Sequence, residues 1–142
     1  MISELTAQLN RDEDRRKQVY QDSLGLWTIG VGRLVDARKP GSGLRDDEMD
    51  YMLRNDINDR VDALTRALPW FQNLDDARKG VLLNMAFQMG TDGVLAFSNT
   101  LAKVQAGDYS TAADMMLQSK WATQTPERAK RLSDQMRTGV WQ

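Results

Sequence analysis

The sequence contains neither cysteine nor histidine. Without cysteine the chain cannot form disulfides, which is compatible with folding in a reducing compartment. Without either residue, Ser-His-Asp triads, Cys-His dyads and zinc sites with His or Cys ligands are excluded. If the protein is an enzyme, its acid–base chemistry must therefore use carboxylates, lysine or tyrosine, and we expect no metal and no other cofactor.

Long apolar runs and an excess of one charge are also missing. No segment approaches the roughly 18–20 apolar residues of a membrane-spanning helix, and the N-terminus has neither the basic region nor the apolar core of a signal peptide. The net charge of −1 argues against nucleic-acid binding. At 142 residues, with 41% hydrophobic and 27% charged residues, the chain is predicted to form one globular domain without stable membrane association.

Basic residues gather toward the C-terminal end of the sequence. They are Lys120, Arg128, Lys130, Arg131 and Arg137. This distribution has two interpretations, ordinary variation of a surface or a basic patch that faces an anionic polymer.

Periodicity and turn residues predict an α+β, helix-dominated fold. Apolar residues at helical spacing predict a short helix over residues 3–12, with Ser3 as its N-cap. Alternation followed by turn residues predicts a hairpin over 17–35, and Pro, Gly and Ser content predicts a loop over 36–43.

Helical patterns fill the rest of the chain. One apolar stripe predicts a long helix over 46–67. Asp75 or Asp76 is the expected cap of a second helix, which Gly90 stops and which is apolar on more than one face, as in a buried central helix. Further helices are predicted over 94–106, 109–119 and 125–139.

The second strand of the hairpin has two different faces, because side chains alternate along a strand. The face expected to pack on a core carries Trp27, Ile29 and Val31. The other face carries Thr28, Gly30 and Gly32, and would leave a bare strip beside one hydroxyl. Glycines within a strand often mark the close approach of a ligand, so an extended polymer could lie there.

Two carboxylates border this strip, Glu13 at the end of the first helix and Asp22 at the end of the first strand. Glycoside cleavage needs such a pair, one acid to protonate the leaving oxygen and one carboxylate to activate a water or attack the sugar. Thr28 could hold that water. By spacing alone, the pattern favours a solvated or structural charge run, because most pairs of acids near a hairpin are of that kind. A phosphate loop at Gly30-x-Gly32 is weakly supported, because no third glycine and no helix follow.

Several motifs in chain order resemble those of the phage lysozymes, which are muramidases. The catalytic segment of that family resembles Arg11-Asp12-Glu13, Tyr20-x-Asp22 and Thr28-Ile29-Gly30-Val31-Gly32. The similarity continues in Asn84-Met85-Ala86-Phe87-Gln88-Met89-Gly90, Phe97-Ser98-Asn99, Trp121-x-x-Gln124-Thr125-Pro126-x-Arg128-Ala129-Lys130-Arg131 and Arg137-Thr138-Gly139-x-Trp141. It covers nearly the whole chain.

The resemblance implies hydrolysis, with inversion, of the β-1,4 bond between N-acetylmuramic acid and N-acetylglucosamine in peptidoglycan. It assigns Glu13 as the general acid, Asp22 as the second carboxylate and Thr28 as the hydroxyl that works with it on the attacking water. It also implies a single lysozyme-like domain over 1–142. This domain would consist of a small lobe (about 13–45), a joining helix (about 46–67) and a helical lobe. The helical lobe would comprise residues of about 68–142 together with the N-terminal helix.

Further residues follow from the same resemblance. The implied substrate-binding residues are Leu34, Phe87, Gln88, Thr100 and Lys120. Gly30, Gly32 and Arg128 match supporting positions, and Arg128 would pair with Asp12 or Glu13 to orient the acid. For Phe87 a core position is an equal alternative, and Lys120 could equally be inert. Trp121 and Trp141 are expected to be packing residues.

Asp14 is a departure from the enzyme that typifies the family, which has a glycine directly after its catalytic glutamate. Aspartate tolerates the left-handed conformation better than most residues, so the turn is expected to survive. Arg33 stands where the family has a histidine.

Two other functions remain open at this point. A lytic transglycosylase would cut the same bond with one glutamate and no water, and a non-catalytic wall-binding protein could keep the fold. If the chain is an endolysin, the resemblance implies a monomer that accumulates in the host cytoplasm. It would then depend on a separate holin to reach the peptidoglycan.

Overall fold

A computed structural model describes residues 1–142. It contains seven α-helices and one antiparallel sheet of three strands, which confirms the predicted α+β, helix-dominated class. The strands are Arg16–Gln21 (β1), Trp27–Gly30 (β2) and Arg33–Leu34 (β3). The helices are Ile2–Asp12 (α1), Asp46–Ala67 (α2), Asp76–Leu95 (α3), Ser98–Gln105 (α4), Tyr109–Leu117 (α5), Lys120–Gln124 (α6) and Pro126–Thr138 (α7). No helix is long and apolar enough to span a membrane.

The chain divides into two compact units, residues 1–52 and residues 53–142. The first unit contains α1, the sheet and the first turns of α2, which continues into the second unit. Its strands lie in the order β1-β2-β3. The buried side chains of this unit are both polar, Thr28 and Asp36.

The predicted N-cap of α1 is wrong. The helix begins at Ile2 with Met1 in the N-cap position, so Ser3 lies inside the first turn. A side chain there cannot cap the N–H groups that follow it. The Ser3 hydroxyl donates instead to the Glu4 carboxylate at 2.8 Å.

The predicted faces of β2 are also wrong. Trp27 is 45% exposed and Val31 38% exposed, whereas Thr28 is only 4% exposed. Cross-strand partners share one face of a sheet, and Thr28 lies in the middle strand between its partners Tyr20 and Leu34. These neighbours cover Thr28, so its face is not bare at that position.

The alternation does not continue beyond β2. The strand ends at Gly30, and Gly30 and Gly32 have φ angles of +69° and +72°. Backbone in this left-handed region turns the chain and favours glycine. The open surface that the glycines provide is therefore confined to the turn after the strand.

The second unit has an apolar core to which its helices and the turn after α2 contribute. Fully or nearly fully buried members include Leu64, Phe71, Val81, Met85, Val94, Val104, Met116 and Met136. Asp75 caps α3, as predicted, because its carboxylate accepts from the Arg78 N–H at 3.0 Å. At Gly90 the backbone leaves helical geometry, with φ +78°, but helical turns resume and continue to Leu95.

Buried polar groups in the second unit have hydrogen-bond partners. The Ser133 hydroxyl donates to the Ala113 carbonyl at 2.8 Å, and the Gln135 amide donates to the Ala77 carbonyl at 2.7 Å. These bonds join α7 to α5 and to α3. No buried side-chain nitrogen or oxygen lacks a partner, so the interior has no unmatched polar group for a ligand to satisfy.

Candidate active site

Glu13 stands at the C-terminal end of α1, where its backbone N–H donates to the Leu9 carbonyl at 2.8 Å. Its carboxylate lies against Gly32. A Cβ atom added at Gly32 would be 3.0 Å from Oε2 of Glu13, which is closer than a side chain normally allows. Glycine at this position therefore makes room for the carboxylate of Glu13.

Asp22 follows β1 directly and is held by the turn of the hairpin. Its Oδ1 accepts hydrogen bonds from the N–H groups of Leu24 and Leu26, both at 2.9 Å. Its own N–H donates to the Leu26 carbonyl at 2.9 Å. These bonds fix the half-buried carboxylate while Oδ2 has no partner within the protein, so one oxygen remains for a water or a substrate.

Thr28 is connected to Asp22 through the backbone of one residue. The Thr28 hydroxyl donates to the Leu26 carbonyl at 3.1 Å, and the Leu26 N–H donates to Asp22. Because its proton is directed at a carbonyl, the hydroxyl oxygen presents only lone pairs to other groups. The two predicted partners of the attacking water are therefore both hydrogen-bonded to the backbone of Leu26.

Acidic residues without an ion-pair partner are the minority in the first unit. Six of its ten carboxylates lie within 4.0 Å of a cationic group. The four without such a partner are Glu13, Asp22, Asp46 and Asp50. Both predicted catalytic acids belong to this small group, so neither carboxylate is engaged in an ion pair within the first unit.

Asp36 is a buried structural residue near Thr28 that the sequence did not reveal. It is 2% exposed, and its carboxylate accepts from the Arg38 guanidinium at 2.6 and 2.8 Å and from the Trp27 N–H at 3.0 Å. These hydrogen bonds, the Arg38 guanidinium first, hold the pKa of Asp36 well below its usual range. Asp36 thus anchors the loop to β2 one residue before Thr28, and the only sequence signal is an Asp-x-Arg spacing inside a loop.

Arg33, which departs from the family, forms a second anchor. Its guanidinium donates two hydrogen bonds to Glu48 at 2.6 and 2.7 Å, joining β3 to α2. The Arg33 hydrogen bond lowers the pKa of Glu48 to about 2. Bidentate pairs of this kind are among the more specific ion pairs in proteins.

The predicted substrate-binding residues are distributed over both units. Leu34 lies in β3 of the first unit, half-buried beside Thr28. In the second unit Phe87 helps to line a cavity of about 420 Å³, and the Arg60 guanidinium lies 4.0 Å from the centre of its ring. Phe87 is therefore a half-buried cavity residue and not a member of the buried core.

Arg128 borders the same cavity and donates to the Asn84 side chain at 2.8 Å. Its predicted partners Asp12 and Glu13 belong to the first unit, and that ion pair stays a prediction. Trp141 also lines this cavity and lies on Gly80, although it is 63% exposed.

The remaining predicted residues lie elsewhere in the second unit. Thr100 is buried and lines a separate cavity of about 220 Å³. Gln88 is exposed and accepts from the indole N–H of Trp121 at 2.9 Å, while Trp121 itself is buried, which confirms its packing role. Lys120 is an exposed residue at the start of α6. Their contacts with substrate stay predictions.

The basic patch expected near the C-terminal end is partly neutralised. Lys130 pairs with Asp134 at 2.7 Å and Arg137 with Asp114 at 2.6 Å. For Lys130 and Arg137, these contacts favour the interpretation that the basic residues are ordinary variation of a surface and not a patch that faces an anionic polymer. No group of three or more acidic side chains is arranged to hold a metal ion.

Comparison with known proteins identifies the family. Residues 10–137 match the family model described as Phage lysozyme. The chain is 32% identical to the endolysin of Salmonella phage P22, over 84% of this chain and 82% of that protein. It is 26% identical to the probable T4-type lysozyme 1 of Dictyostelium discoideum, over 99% and 97% of the two chains. It is 31% identical to the pre-baseplate central spike protein Gp5 of Enterobacteria phage T4, over 92% of this chain and 27% of that protein.

The helical α+β fold and these relatives together define a glycoside hydrolase. The chain belongs to the phage lysozyme family, and is a muramidase-like peptidoglycan hydrolase. The resemblance inferred from the sequence motifs is thereby confirmed.

Proposed function

We propose that the protein cleaves the β-1,4 bond between N-acetylmuramic acid and N-acetylglucosamine with inversion, using Glu13 as the general acid and a water activated by Asp22 and Thr28. The observation that carries this proposal is the shared attachment of Asp22 and Thr28 to the Leu26 backbone. Asp22 and Thr28 would then offer two acceptors to one water, on the hairpin that follows Glu13.

The protonation pattern of these acceptors supports attack by water. Asp22 Oδ2 and the Thr28 hydroxyl oxygen would each accept one proton of a bound water. The lone pairs of that water would then face the sugar, and Asp22 would remove the proton as the new bond forms. An inverting enzyme needs this arrangement, with its carboxyl groups roughly 6.5–9.5 Å apart to admit the water.

Glu13 would complete the reaction by protonating the leaving oxygen. Within residues 1–52 the carboxylate has no ion-pair partner, and it lies on the backbone of Gly32, where no side chain competes with the glycan for space.

The test is hydrolysis of purified peptidoglycan by the wild type and by Glu13→Gln, with anomeric analysis of the products. Glutamine keeps the shape of the side chain but cannot donate an acidic proton, so we expect a loss of about 10²- to 10⁴-fold in rate. Asp50→Asn, which removes another unpaired carboxylate in the same unit, is the matched control. Clearance by Glu13→Gln at the wild-type rate, or products with retained configuration, would contradict the mechanism.

A lytic transglycosylase on the same bond predicts different products. Such an enzyme uses no water and leaves an anhydro sugar, so the Asp22 and Thr28 pair would be superfluous. Mass spectrometry of the digest separates the two reactions, because hydrolysis adds the mass of one water to the products. Wall binding without release of reducing ends would instead support the non-catalytic alternative.

The biological setting we infer is host lysis, supported by the similarity to the phage P22 endolysin over most of both chains. The protein would accumulate as a monomer in the host cytoplasm and reach the peptidoglycan after a holin opens the membrane. Bacteria that produce the chain should then lyse only when the membrane is permeabilised separately. Lysis without permeabilisation would contradict this setting.

The similarity to Gp5 favours a second setting. Gp5 is named as a pre-baseplate central spike protein, and the match covers only 27% of it, so a region similar to this chain also occurs within a longer phage protein. In that setting the chain would open the wall locally from a virion. Detection of the chain in purified particles by mass spectrometry would support this setting over host lysis.

A further inference from the structure

A basic cleft lies on the first unit, beside the turn that carries Gly32. It has a volume of about 280 Å³ and is lined by Arg15, Arg16, Lys17, Gly30 and Val31. Nothing lies within 4 Å of the position that a Cβ atom of Gly30 would occupy, so this side of the cleft is open. Three consecutive cationic residues thus line one small cleft.

Two of the three cationic residues that line the basic cleft have no ion-pair partner within residues 1–52, and the third, Arg16, pairs with Asp14 at 3.1 Å. Residues 1–52 contain ten acidic and eight basic residues, so the unit as a whole is acidic. Five of the eight basic side chains lie within 4.0 Å of a carboxylate. The three without an ion pair are Arg15, Lys17 and Lys39, and the first two line the cleft.

Asp14 organises the two arginines of the cleft. It has a φ of +65°, which confirms the predicted left-handed conformation. Its carboxylate accepts from the Arg15 N–H at 2.8 Å and from Nε of Arg16 at 3.1 Å. The Arg16 guanidinium also lies 4.9 Å from the centre of the Tyr20 ring. The left-handed turn at Asp14 therefore fixes the backbone at Arg15, the first of the three cationic residues. The terminal nitrogens of Arg16 have no hydrogen-bond partner.

Arg15 is held at one end of its guanidinium. One terminal nitrogen donates to the Asn10 side chain at 2.9 Å, which leaves the other available, while Lys17 forms no hydrogen bond or ion pair through its side chain. Guanidinium groups bind planar oxyanions with paired donors, and an ammonium adds a point charge. The cleft therefore has the chemistry of a site for a carboxylate or a phosphate.

We propose that the basic cleft binds an anionic group of the peptidoglycan, most simply a carboxylate of its peptide stems, while the glycan is cleaved at Glu13. Val31 of the cleft precedes Gly32, on which the Glu13 carboxylate lies, so the two sites are neighbours on one turn. The inference rests on the proposed function. Phosphate groups of wall-attached polymers offer the same chemistry, and the experiment separates these sources.

Three substrates test the proposal. The first is glycan that carries its peptides and no phosphate polymer, the second is the same glycan after an amidase has removed the peptides, and the third is wall that retains its phosphate polymers. The variants are Lys17→Gln and the double variant Arg15→Gln/Lys17→Gln. Lys39→Gln is the matched control, because Lys39 is the remaining unpaired cation of the unit and lies outside the cleft.

We expect the ratio of kcat/KM on peptide-bearing glycan to that on peptide-free glycan to fall about threefold to tenfold in the double variant, as for the loss of exposed ion pairs. The single variant should show a smaller fall, and Lys39→Gln none. Salt at about 0.5 M should reduce the wild-type ratio toward that of the double variant, because it screens exposed charges. A fall in kcat/KM of the double variant that is seen only on wall retaining its phosphate polymers would identify phosphate as the anion.

Unchanged rates of the double variant on all three substrates would overturn the proposal. Co-sedimentation of Glu13→Gln protein with each substrate, with and without the cleft substitutions, measures binding without cleavage. Loss of binding there supports the cleft even if the wild type releases no reducing ends, which would contradict the proposed function alone. Far-UV circular dichroism should show equal helix content in all variants, and the Lys17→Gln side chain disturbs no contact that stabilises the fold.

Discussion

Every buried apolar side chain lies in residues 53–142, whereas the two buried side chains of residues 1–52, Thr28 and Asp36, are polar. The second unit is stabilised by an apolar core. The first unit depends on hydrogen bonds and on the ion pairs of Asp36 and Glu48. The proposed catalytic groups all belong to the unit without an apolar core, so changes in the two units should have separable effects on stability and activity.

Truncation of the apolar core should have the largest effect on stability. Phe71 is fully buried in the second unit, and Phe71→Ala would remove its contacts and leave a cavity. We expect the free energy of unfolding to fall by about 3–5 kcal/mol, measured by urea denaturation. The rate per folded molecule should change little under conditions where the variant remains folded.

Leu24→Ala is the control from the first unit, where Leu24 is a large apolar residue in the hairpin turn and 80% exposed. Substitutions at such exposed positions usually change stability by less than about 0.5 kcal/mol. A loss as large as that of Phe71→Ala would show that the hairpin contributes to an apolar core after all.

Acid should loosen the first unit before the second. Hydrogen bonds from the Arg38 guanidinium and the Trp27 N–H hold the pKa of Asp36 well below its usual range, and the Arg33 guanidinium lowers the pKa of Glu48 to about 2. In an unfolded chain the pKa values of Asp and Glu are about 3.9 and 4.3. Both residues therefore stabilise the fold above about pH 5, and this contribution is lost as the pH falls toward the folded values.

Amide hydrogen exchange, corrected for the intrinsic pH dependence, measures this difference. Between pH 6 and pH 3 we expect the Trp27 N–H to lose protection while amides of α3 keep it. Arg38→Gln removes the main cause of the lowered pKa of Asp36, so the loss should begin at a higher pH in that variant. Simultaneous loss of protection in both units would contradict the comparison.

Elements with strong local signals were predictable from the sequence. The apolar stripe of α2 predicts its bounds, 46–67, because apolar residues recur every three or four positions and so lie on one face of a helix. Asp75 is a cap that depends only on the backbone three residues later. Glu13, Asp22 and Thr28 were recognisable because they stand in a family motif, whereas residue spacing alone favoured a structural role for the acids.

Features that depend on contacts between distant residues were not predictable. The period-two pattern of β2 gave the wrong buried face, because burial of Thr28 is determined by its partners Tyr20 and Leu34. Asp36 lies in a loop whose composition predicts only a turn, and its role depends on Trp27, nine residues away. The basic cleft was missed because Arg15 and Lys17 read as part of a mixed charge run.

A small loss of stability, together with a specific effect on activity, is expected from Gly32→Ala. Alanine at φ +72° strains the backbone, and its Cβ would press on the Glu13 carboxylate. We expect a loss of about 1 kcal/mol in unfolding free energy, measured by urea denaturation, together with a clear fall in kcat because the general acid moves. Gly41→Ala is the matched control, since Gly41 has a φ of +81° but nothing within 4 Å of its Cβ position. Both variants should lose similar stability, and only Gly32→Ala should lose turnover; equal turnover in the two would show that the position of Glu13 does not depend on the absence of a side chain at Gly32.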